Sequence, residues 1–159
     1  MHPNFNELEE CFMTPKTKAI PEGYHAVTPY MIIKDAAAAI TFYQKAFGAT
    51  ELMCVTDDSG KVRHAEIKIG DSPIMIVDEF PEYSIMRSPR SLGGASMHIF
   101  LYVEDVDALF AQAIDAGAKE LEPVENHSEG DRRGGVMDPF GHIWWIATHI
   151  KDVPLEEIQ

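Results

Sequence analysis

The sequence predicts an α+β fold built from two βαβββ modules in tandem, and three observations predict it. Residues 33–40 line up with residues 103–110, each an apolar strand end, an Asp and the start of a helical stripe. After a one-residue gap, Ala49-Thr50-Glu51-Leu52 lines up with Ala118-Lys119-Glu120-Leu121. Behind each helix come three short stretches of strand character, separated by Gly, Asp, Ser and Pro turns. Internal self-similarity of this kind fixes an architecture before any single motif is weighed.

The elements follow in order. Asp35 and Asp105 can accept hydrogen bonds from the free N–H groups of a first helical turn, so each reads as an N-cap. In the helix after Asp35, Ala36, Ile40, Tyr43 and Phe47 fall on one side; after Asp105, Val106, Leu109, Phe110, Ala113 and Gly117 do the same. These stripes are core rather than a cofactor box. Gly48 and Gly117 suit the left-handed residue that closes a helix. First-module strands are expected at 50–56, 62–69 and 74–77. In the second, a strand at 97–103 precedes the helix, and others follow at 121–125, 134–137 and 143–148, the last two joined by Asp138-Pro139-Phe140-Gly141.

With 159 residues, the chain suits one domain with short tails. The expected plan is an N-terminal extension at 1–24, a domain at 25–149 and a tail at 150–159; within the domain, modules at 25–80 and 95–149 flank a linker at 81–94. The linker holds Arg87, Arg90, Pro89 and Gly93-Gly94 and reads as a flap as well as a connection. The extension contains Pro3, Pro15 and Pro21 without sustained periodicity; it either drapes over the domain or a partner subunit, or is disordered.

Composition excludes some functions. The balance of 13 Lys and Arg against 26 Asp and Glu gives a net charge of -13, which repels nucleic acid and anionic membranes. No apolar run approaches a bilayer-spanning length, and no basic start with an apolar core marks a signal peptide. Cysteines Cys11 and Cys54 form no redox or metal spacing and read as free thiols. The expectation is a cytoplasmic protein without nucleic acid or membrane partners, whose acidity serves solubility or attracts a cationic ligand.

Three stretches carry a family resemblance: Thr28-Pro29-Tyr30-Met31-Ile32-Ile33-Lys34-Asp35 leading into Phe42-Tyr43 and Phe47-Gly48; His98-Ile99-Phe100-Leu101-Tyr102-Val103-Glu104-Asp105; and Asp138-Pro139-Phe140-Gly141-His142. Together they resemble the vicinal oxygen chelate superfamily, which includes glyoxalase I, extradiol dioxygenases, fosfomycin-modifying enzymes and bleomycin-binding proteins. The resemblance covers most of the chain and implies that the two modules form a half-open barrel, commonly within a homodimer whose cleft includes partner residues. It also implies one metal ligand, usually His, Gln or Glu, on each of four strands. Carried over by distance from the shared motifs, these positions hold Thr28, Met75, His98 and Trp145. Only His98 matches.

An indole, a thioether and a neutral hydroxyl are poor substitutes for carboxylates and imidazoles around a hard divalent ion. The expectation is therefore no metal cofactor, and with it the loss of the Lewis acid that the family's enzymes use. Alternation along strands groups Thr28, Tyr30 and Ile32; His98, Phe100 and Tyr102; and Ile143, Trp145 and Ala147, so that aromatics with a few polar tips line the cleft. His64 and Glu66 also share a face, as an acid/base pair, a metal pair or a surface pair. Of Arg132 and Arg133, at most one can face the cleft. The candidate pocket is thus Thr28, Tyr30, His64, Glu66, His98, Phe100, Tyr102 and Trp145. Two functional readings stay open: a metal-free protein that binds an aromatic or cationic compound, and a metal-dependent glyoxalase-like lyase or isomerase using His98 in a rearranged ligand set.

Overall fold

A computed structural model describes residues 17–158. In chain order the elements are β1 (Tyr30–Ile33), α1 (Ala36–Phe47), β2 (Thr50–Thr56), β3 (Val62–Ile69), β4 (Ser72–Asp78), the single turn α2 (Pro89–Leu92), β5 (His98–Tyr102), α3 (Val106–Ala116), β6 (Lys119–Asn126), β7 (Asp131–Met137) and β8 (Ile143–His149). Each module makes a four-stranded sheet, in the orders β1-β4-β3-β2 and β5-β8-β7-β6. β1 runs parallel to β4 and β5 to β8, while the remaining pairs are antiparallel. The tandem βαβββ expectation therefore holds.

The two sheets do not close into a barrel within one chain; each keeps its own four strands. Two features differ from the sequence expectation. β7 begins at Asp131 instead of 134, because Arg132 and Arg133 pair with Thr148 and Ala147 of β8. Segment 81–94 is pinned to both modules: Glu79 accepts from Ser88 N at 3.0 Å and Ser91 Oγ at 2.6 Å, and Arg90 donates to the carbonyl oxygen of Pro139. Residues 1–16 of the expected extension lie outside the described residues.

Each sheet has one face on a helix. Met31, Ile33, Ala65, Ile67, Ile74 and Ile76 are buried, as are the α1 residues Ala36, Ile40, Tyr43 and Phe47. Val136, Trp144 and Ile146 join Phe110 and Ala113 of α3 in the same core. Side chains alternate across a strand, so one face's burial leaves the intervening residues on a face without a helix. Asp35 and Asp105 cap their helices by accepting from Ala38 N and Ala108 N. Gly48 and Gly117 end the helices in the left-handed conformation, as expected.

The seam between modules is helix on helix and ring on ring. Gln112 of α3 donates to the carbonyl oxygens of Lys45 and Ala46, which have no partner further along α1. Phe47 lies 4.6 Å from Trp144 and Tyr43 lies 5.3 Å from it, centroid to centroid. Buried Asp138 locks this cluster: it accepts from Tyr43 OH at 2.6 Å, Trp144 Nε1 at 3.0 Å, and the backbone N–H groups of Phe140 and His142 at 2.9 Å each. Among the described residues, no helix is long and apolar enough to cross a membrane.

Candidate functional site

The helix-free faces hold all but one of the expected pocket residues. On the first sheet, register places Met75 of β4 between Tyr30 of β1 and Glu66 of β3, with Met53 of β2 beyond Glu66 and Val55 opposite His64. Thr28 is half-buried just ahead of β1. On the second sheet, Trp145 of β8 lies between Phe100 of β5 and Gly135 of β7, while His98 pairs with Ile143 and Tyr102 with Ala147. Several ring side chains on these faces are exposed: Tyr30 is 47% exposed, Phe100 45% and Tyr102 60%.

His64 and Glu66 are together, on an interior strand instead of a surface edge, with His64 Nε2 2.9 Å from Glu66 Oε1. The second carboxylate oxygen, Oε2, accepts from Tyr24 OH. This hydrogen bond, reinforced by that of His64, holds Glu66 below the usual carboxylate range. The same bond, with partial burial, pushes the Tyr24 hydroxyl up to about 12. Glu66 is therefore an acceptor only, so His64 meets it through an Nε2–H.

The second face is built around one indole. Trp145 Nε1–H donates to His98 Nδ1 at 3.1 Å, which fixes the neutral His98 ring with its proton on Nε2. The ring lies flat on β7 because its neighbour there is glycine: a β-carbon at Gly135 would sit 2.8 Å from Trp145 Cζ3. On the opposite side of the same strand, a β-carbon at Gly134 would sit 2.7 Å from Phe110 Cε2, so Gly134 lets α3 approach the sheet. Arg133 lies over the Trp145 ring, 5.0 Å from the centroid, and donates through Nε to Glu129 at 3.0 Å. Arg132 points the other way and pairs with Asp107 of α3 at 2.6 Å.

Tyr102 turns its hydroxyl to Asp131 at 2.8 Å and packs against Phe100 at 5.0 Å between centroids. Asp131 also faces His149 Nδ1 at 2.7 Å, and His149 Nε2 faces Asp152 at 2.9 Å. Burial raises the Asp131 carboxyl, but the hydrogen bonds from His149 and Tyr102 outweigh it and leave it below its ordinary range. The bond to Asp152, followed by that to Asp131, raises His149.

The structure thus forms two groups: His64 and Glu66 of one sheet with Tyr24 from the segment ahead of β1, and His98, Trp145, Phe100 and Tyr102 on the other sheet. Among the described residues, no hydrogen bond, ion pair or ring contact joins them. Nor do three His, Cys, Asp or Glu side chains gather in a way that could hold a metal ion. Sequence reasoning missed Tyr24 and Gly135. Tyr24 leaves no signal, lying 42 residues from Glu66; a glycine pair inside a strand was the available clue to Gly135.

Known proteins share this fold. The profile described as Glyoxalase/Bleomycin resistance protein/Dioxygenase superfamily matches residues 24–146. An uncharacterized protein of Mycobacterium tuberculosis is 43% identical over 136 residues, covering 84% of this chain and 80% of the relative. The crystallised product of an Arabidopsis thaliana gene superposes with a TM-score of 0.62 at 28% identity, over 78% of this chain and 98% of that one. A glyoxalase/bleomycin resistance protein/dioxygenase family enzyme from Burkholderia phytofirmans gives a TM-score of 0.61 at 20% identity, over 76% of this chain and 95% of its own. A profile match running from just before β1 into β8, on a fold of paired βαβββ sheets, has one reading: the chain belongs to the Glyoxalase/Bleomycin resistance protein/Dioxygenase superfamily.

Proposed function

We propose that this protein binds a small planar aromatic compound, preferably a cationic one, in a cleft walled by the two helix-free faces, and that it does so without a divalent metal. The observation that carries the reading is Trp145, spread flat over Gly135 and tied to His98. An indole fixed in this way stacks a flat ligand at little cost in side-chain ordering. The guanidinium of Arg133 over the ring marks the place, since a planar delocalised cation and an aromatic ligand use the same face. The net charge of -13 favours a cationic form of such a ligand.

Metal plays no part in this reading because the donor set does not fit one. Thr28, Met75 and Trp145 offer a hydroxyl, a thioether and an indole N–H, and the Nδ1 lone pair of His98 is already engaged by Trp145. A second copy of the chain completes the cleft: its first sheet covers the second sheet of its partner, and the reverse. This arrangement buries the apolar residues Tyr30, Met53, Val55 and Phe100, which one chain leaves exposed on its helix-free faces.

The test is a tryptophan-fluorescence titration with quinoline and N-methylquinolinium, flat rings of similar size that differ in charge. Saturable quenching is expected, tighter for the cation, and at least about tenfold weaker in Trp145→Phe, equivalent to about 1.4 kcal/mol. Equal binding by Trp145→Phe, or no saturable binding of either probe, would contradict the proposal.

A further inference from the structure

The His64–Glu66–Tyr24 group is not needed to hold a flat ring on Trp145, and its geometry points to chemistry. We propose that His64 is a general base, positioned by Glu66 and Tyr24, that removes a proton from a carbon acid bound in the cleft. The inference rests on the reading of that cleft as a small-molecule site.

Three observations support it. First, Glu66 commits both oxygens, one to His64 at 2.9 Å and one to Tyr24, so its carboxylate cannot wander from the imidazole. Second, the pairing uses Nε2 and leaves the Nδ1 lone pair of neutral His64 free. Among the described residues Nδ1 has no hydrogen-bond partner and, unlike His142 Nε2, it is not cut off from solvent. Third, its strand neighbours across the sheet are apolar, and the cation that shares its face, Lys68, makes no ion pair with Glu66 among the described residues. Val55 stands opposite His64, and Met53 and Met75 flank Glu66, with no Lys or Arg paired to that carboxylate. A carboxylate behind an imidazole in such surroundings sets the tautomer and stabilises the imidazolium that forms when the free nitrogen takes a proton.

This arrangement differs from a simple pin for the segment ahead of β1. A pin requires only the Tyr24–Glu66 bond. The half-buried imidazole, with Nε2 fixed and Nδ1 left unpartnered among the described residues, adds nothing to it.

Nitrobenzisoxazole is a suitable probe because it is flat, aromatic and decomposes on loss of one proton. The C–H proton passes to His64 Nδ1, the C–H electron pair enters the new carbon–nitrogen triple bond, and the N–O bond breaks with its pair left on the phenolate oxygen. The imidazolium then returns its proton to water. Wild-type protein should release the coloured phenolate with saturation kinetics, and both His64→Ala and His64→Gln should lose about a hundredfold in kcat/KM. Glu66→Gln should lower kcat about tenfold with KM unchanged, Glu66→Asp should recover part of the loss, and Tyr24→Phe should have a smaller effect in the same direction.

Folding of each variant is checked by its circular dichroism and thermal midpoint. A wild-type rate no greater than that of an equal concentration of free imidazole, or equal rates in the wild type and either folded His64 variant, would overturn the proposal. Probe quenching of Trp145 separates the two failures. Binding without elimination sinks the base and leaves the cleft reading intact, whereas absence of binding sinks both.

Discussion

The two modules share a backbone plan but have divided their side chains. Register equates Met75 and Glu66 of the first sheet with Trp145 and Gly135 of the second: both pairs sit across a β4–β3-type contact, and the partners on the neighbouring strands are Tyr30 and Phe100. Where the first module has a medium side chain beside a long polar one, the second has the largest side chain beside none. One sheet therefore presents a titratable pair and the other a flat shelf. The same division appears at the helix starts. Buried Asp78 accepts from Ala36 N at 2.9 Å and Val62 N at 2.7 Å in the first module. In the second, Thr148 accepts from Val106 N at 3.0 Å and donates to the carbonyl oxygen of Val103 at 2.9 Å. A duplicated scaffold keeps its packing stripes and varies the helix-free face, which is where a cleft can acquire two unlike walls.

Breaking the seam should cost most. Asp138→Ala strips acceptors from four donors, two of them the side chains of Tyr43 and Trp144 in opposite modules. A loss of roughly 3–5 kcal/mol in urea unfolding is expected. The helix starts should then separate the modules. Asp78→Ala leaves two buried N–H groups unpaired, for about 2–3 kcal/mol. Thr148→Ala should cost about 1 kcal/mol by the same measurement. Equal losses would erase the proposed asymmetry.

The shelf itself is tested by Gly135→Ala. The added methyl meets an indole ring that Arg133 and His98 hold from other sides. About 1–3 kcal/mol of strain is expected, together with a shift in Trp145 emission. A variant as stable as the wild type, with unchanged emission, would show that the ring does not depend on the glycine.

The smallest effects are pH-dependent, and two histidines should act in opposite directions. His142 is held below its ordinary value, chiefly by burial. On acidification through the ordinary histidine range, the unfolded chain protonates before the folded one, so His142 makes stability fall. His149 is raised by Asp152 and Asp131, so the folded chain binds the proton first. Its contribution is full below the ordinary histidine value and disappears as pH rises through the higher folded value. Urea midpoints between about pH 5 and about pH 8 should show His149→Gln steepening the acid loss and His142→Gln flattening it.

Much of this was legible in the sequence because a repeat and a period of two are local signals. Strands β2 and β3 fall where turn chemistry placed them, and alternation put His98, Phe100 and Tyr102 on one face. The Tyr24–Glu66 bond was not legible, since it depends on how a segment outside any strand returns over the sheet. Neither was the separation of the sheets, which is decided by α1 packing on α3 and by Asp138 at the seam. Ring placement on Gly135 needed the β7–β8 register, and a glycine pair alone does not reveal which ring it admits.

The central claim is that the cleft binds its ligand on Trp145 with no ion held at the family's ligand positions. The most direct measurement is a quenching titration with N-methylquinolinium on one preparation before and after dialysis against a chelator, with bound metal counted at both stages. The account predicts the same binding curve at both stages and far less than one ion per chain at either. One tightly held divalent ion per chain, with binding lost when that ion is removed, would contradict it.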